Sequence, residues 1–293
     1  MKYKFIGEKR SEFSVKKMCQ VMDVSQSGYY RWLRKPISKR KTEKQCLQRI
    51  IKDLFAKHKG MAGSPMIAAD LRDFPEYAKV SRQRVARLMK EMGLRCKTVK
   101  KFVVTTDSKH NYPVAPNLLN QIFTTTAPDQ AWVTDITYLK IGKKWHSLTV
   151  YIDLFSRIVV GWDLSPSLER YSAIKALKKA VINRWPGEGL LVHSDRGIQY
   201  ASADFKHELK RHGFIQSMSR KGNCWDNAVA ESFFHTIKTQ LIHHCQFKTM
   251  AEAERIIFQY IEIYYNRQRK HSTNGYKSPA DYETEWWKQR KVA

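Results

Sequence analysis

The sequence is poor in cysteine, in acidic residues and in long apolar runs, and each shortage excludes a class of protein. Its five cysteines are scattered and no two form a CxxC pair, so neither a disulfide framework nor a zinc ribbon is indicated. No apolar run approaches the roughly 20 residues that a membrane-spanning helix needs. The opening residues MKYKFIGEKR lack the apolar core of a signal peptide. We therefore expect a reduced, cytoplasmic protein with no membrane partner.

Acidic residues are too few to balance the basic ones. Lys and Arg number 53 against 27 Asp and Glu, which gives a net charge of +26 in a chain of 293 residues. Such an excess predicts a polyanionic partner, and nucleic acid is the usual one. Residues 1–110 hold 28 basic and 10 acidic side chains, whereas the remaining 183 residues hold 25 and 17. The first part of the chain is therefore predicted to bind nucleic acid.

Residues 14–35 predict two short helices, with Ser25 as the N-cap of the second. Tyr30 and Leu33 are predicted to face inward on that second helix. The spacing fits a helix-turn-helix, and it fits a basic helical hairpin that reads no DNA groove equally well. We assign residues 1–50 to this basic N-terminal region.

A second helix-turn-helix pattern follows, and its helix ends are better marked. Pro65 suits the first turn of one helix, because its missing N–H costs nothing there. Ser81 is the predicted N-cap of the next helix and Gly93 its C-terminal signal. A recognition helix inserts exposed N-terminal side chains into the major groove. We predict nucleic-acid contact through three such side chains, with a merely solvated basic face as the alternative: Arg82, Arg84 and Arg87.

The pattern becomes mixed α/β after a predicted linker at residues 111–127. Three β-rich segments, AWVTDITYLKI, KWHSLTVYIDLF and RIVVGWDLS, are separated by turns and predict an antiparallel meander. A helix, a strand, a helix, a strand and two long helices follow, the last two at about 228–243 and 249–267. This is the element order of the ribonuclease-H-like fold. We predict an α/β protein in which a mixed five-stranded sheet with helices, residues 128–293, follows an all-α helix-turn-helix domain at 51–110.

Three acids stand in apolar surroundings, each predicted at the end of an element. Asp135 interrupts the first strand, Asp195 ends LLVHSD, and Glu231 lies one turn into a helix within AVAESFF. An isolated buried carboxylate is costly unless it is paired or binds a metal. Separately, each acid could cap a turn or meet an arginine. Together they could converge on Mg²⁺, which prefers carboxylates, phosphate oxygens and water.

The residues around these acids resemble the catalytic core of DDE transposases and retroviral-type integrases, and most of all the OrfB-type transposases of bacterial insertion sequences. Five motifs in order carry the similarity: WVTDITY, YIDLFSRIVVGW, HSDRGIQYAS, SRKGNCWDNAVAESFFHTIK and YNRQRKHSTNGYKSPADYE. Together they cover about residues 128–284. The stretch VSRQRVARLMKEMGL resembles the family's N-terminal helix-turn-helix.

The resemblance implies that Asp135, Asp195 and Glu231 are the catalytic, metal-binding triad. It implies two Mg²⁺ ions as cofactors, for which Mn²⁺ can substitute, and such ions activate a water or a 3′-hydroxyl. Lys238 follows Glu231 by seven residues, which leaves the two nearly on one helical face. We expect this lysine to hold a phosphate, with an ordinary solvent-exposed lysine as the alternative.

Further residues of the matched motifs are expected to support the site. Arg220 and Lys221 are expected DNA contacts, and Asp226 and Asn227 are expected to cap the helix that carries Glu231. Asp153, on the second strand, is expected to be a turn acid, with a fourth metal ligand as the alternative. The closing motif is expected to be mainly structural, with some DNA contact; its matching residues are Tyr265, Asn266, Arg269 and His271.

The implied function is transposition: hydrolysis of a phosphodiester at the end of an element, then attack of the freed 3′-hydroxyl on another strand. The implied partners are double-stranded DNA of the terminal repeats and the target, further copies of the chain as a homo-oligomer on DNA, and an upstream-frame protein or fusion. Such a protein would lie in the bacterial cytoplasm with the nucleoid. GSPMIAADLRD lacks an arginine pair that we associate with the family, which weakens the assignment of DNA contacts there.

Two other functions fit parts of the sequence. One is a ribonuclease-H-like nuclease that cuts without joining, and the sequence does not separate it from a transposase. The other is a helix-turn-helix DNA-binding regulator with an inactive enzyme domain. The complete set of three acids argues against the regulator.

Overall fold

The computed structural model describes residues 1–34, 38–97, 113–166 and 171–292. The chain divides into two compact units, Met1–Asp53 and Leu54–Ala293. Across the described ranges, no helix combines the length and the apolar character that crossing a membrane requires. The domain boundaries at residues 50, 110 and 127 remain predictions. Parts of the predicted second domain and linker, residues 98–112, lie outside the described residues.

The first unit contains three short helices around a small core, and a fourth helix, α4, begins in it and continues past its boundary. Their bounds are α1 Lys2–Glu8, α2 Val15–Val21, α3 Gln26–Arg34 and α4 Lys39–Lys57. The predicted cap of α3 is confirmed, because Ser25 Oγ accepts a hydrogen bond of 2.9 Å from the Gly28 amide. The predicted inward residues are wrong: Tyr30 and Leu33 are 39% and 44% exposed, and Tyr29 is buried instead. The reason is α1, which the pattern did not predict and whose Tyr3 and Ile6 pack with Tyr29.

The second unit begins with the end of α4 and the predicted helix-turn-helix. Helix α5 covers Ser64–Asp70 with Pro65 in its first turn, and α6 covers Arg82–Glu91. The predicted cap of α6 is confirmed, since Ser81 Oγ accepts from the Arg84 amide at 3.3 Å. Gly93, with φ +68°, ends the helix as predicted, and the next amide, of Leu94, donates to the Met89 carbonyl.

The second unit is built on one mixed sheet of five strands. Its strands are β1 Ala131–Ile141, β2 Lys144–Asp153, β3 Val159–Ser165, β4 Leu191–Ser194 and β5 Ile215–Met218. The order across the sheet is β3-β2-β1-β4-β5. The first three strands form the predicted antiparallel meander, and β4 and β5 join β1 in parallel. The predicted fold class, an α/β ribonuclease-H-like core behind a helical region, is confirmed.

Helices cover both faces of the sheet. One buried cluster packs α7 and α9 on the sheet, and the other packs α10, α11 and the segment after α11. The second of the two long helices was predicted as one element, but α11 ends at Phe258 and residues 259–265 form a π-helical turn. The wider turn brings four large residues of this segment into the core. The helix bounds are α7 Tyr171–Arg184, α8 Ile198–Ala201, α9 Ala203–Arg211, α10 Ala228–Gln240, α11 Met250–Phe258 and α12 Pro279–Val292.

Two residues of the matched motifs have the structural roles expected for them. Asn266 donates from Nδ2 to the Val159 carbonyl at 3.0 Å and accepts from the Val159 amide at 2.9 Å, which fixes the C-terminal segment to β3. Asp153 is fully buried and accepts hydrogen bonds from the Ser156 amide and hydroxyl and from the Asp129 amide. Burial raises the pKa of Asp153 to about 6. Asp153 is therefore a turn acid, as predicted.

Candidate active site

Asp135 and Asp195 occupy equivalent positions beside each other where two neighbouring parallel strands part. The pairing of β1 with β4 ends at Thr134 and Ser194; Asp135 is the next residue of β1, and Asp195 directly follows the end of β4. Side chains at matching positions of parallel strands point to the same face. The prediction that Asp135 stands at a strand end is wrong. It lies in the middle of β1, where it is still paired with Val150 of β2. The acid lies where the neighbouring strand β4 ends, which opens one side of β1.

Backbone amides hold one oxygen of each aspartate. Asp135 Oδ1 accepts from the Ile136 amide and Asp195 Oδ1 from the Gly197 amide, both at 2.8 Å. A Cβ at Gly197 would lie 2.9 Å from that same Asp195 oxygen. A side chain at position 197 would therefore force the Asp195 carboxylate to move from its present position.

Glu231 and Lys238 lie on α10, which packs against β1. Burial, together with the nearby carboxylates of Asp195 and Glu231, holds the pKa of Asp135 well above its usual range, and Lys238 opposes that shift. Burial and Asp195 also raise the pKa of Glu231. Burial lowers the pKa of Lys238, and Asp135 opposes this effect. The three acids are therefore close enough to interact electrostatically with one another, and Lys238 is close enough to interact with Asp135.

This set of groups fits a divalent cation in its chemistry. Asp195 raises the pKa of both Asp135 and Glu231, and carboxylates placed so close together are stabilised by a hard cation, which accepts oxygen ligands. No group of three or more His, Cys, Asp or Glu in the described part of the chain is already arranged as a metal cage. Magnesium sites often use only one or two carboxylates, together with substrate phosphates and water. The acids thus fit a metal that binds together with a phosphodiester.

The predicted capping role of Asp226 and Asn227 is wrong. Asn227 occupies the N-cap position of α10, but its side chain makes no cap and donates instead from Nδ2 to the Thr134 carbonyl at 3.2 Å. Asp226 is fully buried and binds Arg220 through the arginine's backbone amide, Nε and a terminal nitrogen. Arg220 holds the pKa of Asp226 well below its usual range. Both residues instead hold the loop before α10 in place. They do so through contacts with residues distant in sequence, and these contacts replace the local cap.

The predicted DNA-contacting residues differ in exposure. Arg82, Arg87 and Lys221 are exposed, whereas Arg84 is half-buried. Arg220 is half-exposed, but its guanidinium is already paired with Asp226 at 2.7 Å. That pairing makes Arg220 a structural residue of the loop. Of the three arginines of α6 that were predicted to contact DNA, Arg82 and Arg87 are therefore the exposed ones.

Sequence reasoning missed several residues that hold the loop and the second aspartate. Asn117 and Gln121 each donate a side-chain N–H to Asp226 at 2.8 Å. His193 lies between two hydroxyls, with Nδ1 at 2.8 Å from Ser217 Oγ and Nε2 at 3.3 Å from Ser219 Oγ. Burial lowers the pKa of His193 to about 4. The segment around Asn117 has no periodic pattern, so the sequence carried no signal for its contacts.

Family comparisons agree with this geometry. A family described as Integrase core domain matches residues 125–224, and a second with the same description matches residues 212–279. A family described as HTH-like domain matches residues 41–102.

Two relatives are similar over nearly the whole chain. Transposase InsF for insertion sequence IS3A of Escherichia coli (strain K12) is 41% identical over 287 residues, or 97% of this chain and 98% of the relative. The Insertion element IS600 uncharacterized 31 kDa protein of Shigella sonnei is 42% identical over 269 residues, or 92% and 98%.

Solved structures are more distant. The cryo-EM structure of simian T-cell lymphotropic virus intasome in complex with PP2A regulatory subunit B56 gamma gives a TM-score of 0.47 at 16% identity, over 74% of each chain. The HTLV-2 integrase catalytic core domain in complex with magnesium, in its trimeric form, gives 0.43 at 17% identity, over 54% of this chain and 98% of the other.

The sheet order, the adjacent aspartates and the integrase-core matches define an enzyme of the integrase-core class of polynucleotidyl transferases. Within that class, the chain belongs to the family of insertion-sequence transposases that includes InsF of IS3.

Proposed function

We propose that this chain cleaves DNA at the ends of an insertion sequence and joins the freed 3′-hydroxyl to another strand. The observation that supports it is the end of the β1–β4 pairing, which leaves Asp135 and Asp195 side by side, with Glu231 and Lys238 within reach of their charge. Acids so arranged repel a phosphodiester unless a cation is bound. The basic chain, with its net charge of +26, supplies the attraction for DNA.

Asp135, Asp195 and Glu231 are the proposed ligands of Mg²⁺, two ions in all, with Mn²⁺ able to replace them. Bound ions of this kind activate a water or a 3′-hydroxyl and stabilise the leaving oxygen. The role we propose for Lys238 is to hold a phosphate beside these acids. Arg82 and Arg87 are the proposed contacts of α6 with duplex DNA. We also propose that the protein acts as a homo-oligomer, because both ends of one element must be joined to the same target.

The test is incubation of a labelled duplex that carries the element's end with the protein and Mg²⁺. A transposase gives a shortened strand and a second, covalently joined product that is longer than the substrate. Shortened strands without any joined product would support the nuclease instead. Specific binding without cleavage would support the regulator and contradict the enzymatic proposal.

A further inference from the structure

The loop of residues 219–227 is bonded to both strands that carry the aspartates. At its start, the Ser219 amide donates to the Ser194 carbonyl at 2.9 Å. At its end, Asn227 Nδ2 donates to the Thr134 carbonyl at 3.2 Å. Ser194 and Thr134 directly precede Asp195 and Asp135. Both ends of the loop are therefore fixed beside the two acids.

Hydrogen bonds inside the loop also fix its middle. The buried Asp226 carboxylate accepts hydrogen bonds from Arg220 within the loop. It also accepts from the side-chain amides of Asn117 and Gln121 outside the loop. Asn223 Oδ1 accepts from the Trp225 amide at 3.1 Å. The backbone on either side of Trp225 is thus held in one conformation.

Trp225 itself points into solvent, with 70% of its surface exposed. Covering an indole lowers the free energy of the system, so a tryptophan left exposed on a rigid loop is suited to contact a ligand. The same loop carries an exposed positive charge on Lys221, and Lys238 lies further along α10, the helix that the loop leads into. Charge and aromatic surface together are the features of sites that bind unpaired nucleic acid.

We propose that Trp225 stacks on a base at the DNA end, next to the phosphodiester that is cleaved. The inference rests on the proposed function, because a DNA end lies beside this loop only if the three acids act on that end. Inside a duplex both faces of a base are already stacked, so only a terminal or unpaired base offers a free face to the indole. Stacking tolerates any base, since every base has a π-face. Trp225 therefore positions the end and does not read its sequence.

Binding of a duplex that already ends at the element's cleaved 3′ terminus, and so presents a terminal base, is measured first, by fluorescence anisotropy, in a Glu231→Gln background that prevents joining. Trp225→Ala should weaken binding about 10-fold, the size expected for loss of one base–aromatic stack. Trp225→Phe should retain most of the affinity. Trp225→Leu should behave like Trp225→Ala, because a leucine is apolar but cannot stack. The matched control is Trp185→Ala, which also removes an exposed tryptophan, 82% accessible. Trp185 lies outside the loop, directly after Arg184, which forms an ion pair with Asp129.

The second measurement removes single bases from this duplex by abasic substitution, at its terminus and at the neighbouring positions. At one position the difference between tryptophan and alanine should vanish, because the base that the indole covers is gone. A penalty that is equal at every abasic position would overturn the inference, as would full affinity of Trp225→Leu. Loss of self-association in Trp225→Ala, without any dependence on a base, would assign the tryptophan to a protein contact and also overturn it.

The cleavage assay with unmodified protein separates this inference from the proposed function. If the protein cleaves and joins the end but the penalty shows no base dependence, only the role of Trp225 is wrong. If it neither binds nor cleaves the end, the proposed function is wrong and the inference falls with it.

Discussion

The three acids differ in their surroundings, although we propose one role for them. The pKa of Asp135 is raised by burial and by two other carboxylates, whereas Glu231, at the start of α10, is more accessible to solvent. Asn at position 135 or 195, or Gln at 231, keeps the shape and removes a charge. Each change should lower cleavage and joining by more than about 100-fold, because a metal ligand is lost. Folding, measured by thermal unfolding, and duplex binding should persist; near-normal turnover of any one variant in Mg²⁺ would contradict its assignment.

Substitution of Lys238 tests whether its charge positions a DNA phosphate beside the acids. Its ammonium lies close enough to Asp135 to affect the pKa of that carboxyl. Lys238→Ala should reduce cleavage at the correct end while hardly changing affinity for random duplex, since one phosphate contact changes the salt slope by only about one. Lys238→Arg should recover part of the activity, because it keeps charge and reach. Lys175→Ala, an exposed lysine of α7, is the control, and equal behaviour of the two alanine variants would make Lys238 an ordinary surface residue.

His271 should make stability depend on pH. Burial, with Arg269 and Arg157 nearby, lowers the pKa of His271 to about 4. The unfolded chain therefore binds a proton first, so this contribution is fully present above about pH 6.5 and is lost as the pH falls toward 4. The loss should be on the order of 2 kcal/mol, allowing for partial exposure. Denaturant unfolding at pH 7 and pH 4.5 should show a smaller difference for His271→Gln than for the unchanged protein. An identical difference would contradict the assignment.

At the scale of elements, helix α6 offers a matched pair of cap variants. Ser81 caps α6 and Ser202 caps α9, each accepting from an amide at 3.3 Å. Alanine at either position should cost about 1 kcal/mol in the free energy of unfolding. Only Ser81→Ala should also weaken duplex binding, because α6 carries Arg82 and Arg87. An equal effect of both variants on binding would argue against α6 as a DNA-contacting helix.

Local signals predicted the elements well, and contacts distant in sequence explain the errors. Alternating apolar residues predicted β1 to β3, and Ser81 and Gly93 marked the two ends of α6. Burial on α3 is displaced by one residue because α1 packs against Tyr29. Asn227 does not cap α10 because a strand carbonyl 93 positions earlier takes its amide. The register of β1 with β4, which brings Asp135 beside Asp195, is likewise non-local, and only the family resemblance indicated that the acids converge.

At the scale of the whole molecule, the predicted helix-turn-helix at α5 and α6 belongs to the same compact unit as the sheet. Within that unit His58 Nε2 lies 2.7 Å from Asp70 Oδ2, and both side chains are buried. Lys270, far along the chain, lies 3.9 Å from Asp70 Oδ1. A cut near residue 112 would separate Lys270 from Asp70, although His58 and Asp70 would stay on one fragment. A cut before Leu54 follows the division between the two units.

The division between the two units predicts how DNA binding depends on salt. Residues 1–53 hold 15 basic and 5 acidic side chains, and residues 54–293 hold 38 and 22. Each phosphate that a basic side chain neutralises releases condensed counterions, so the logarithm of affinity falls linearly with the logarithm of salt concentration. The fragment 54–293 should therefore bind duplex DNA with a shallower slope than the full chain. A slope equal to that of the full chain would contradict a contribution from the first unit.

The part of the slope that α6 contributes can be separated in the full chain. Arg82→Ala combined with Arg87→Ala should lower the slope by about two, one for each phosphate contact. The control is Lys143→Ala combined with Lys144→Ala, which removes two exposed charges where β1 turns into β2. That control should change the slope far less, because a charge that touches no phosphate releases no counterion from it. If both double variants lower the slope equally, binding follows the overall charge of the molecule, and α6 has no special place in it.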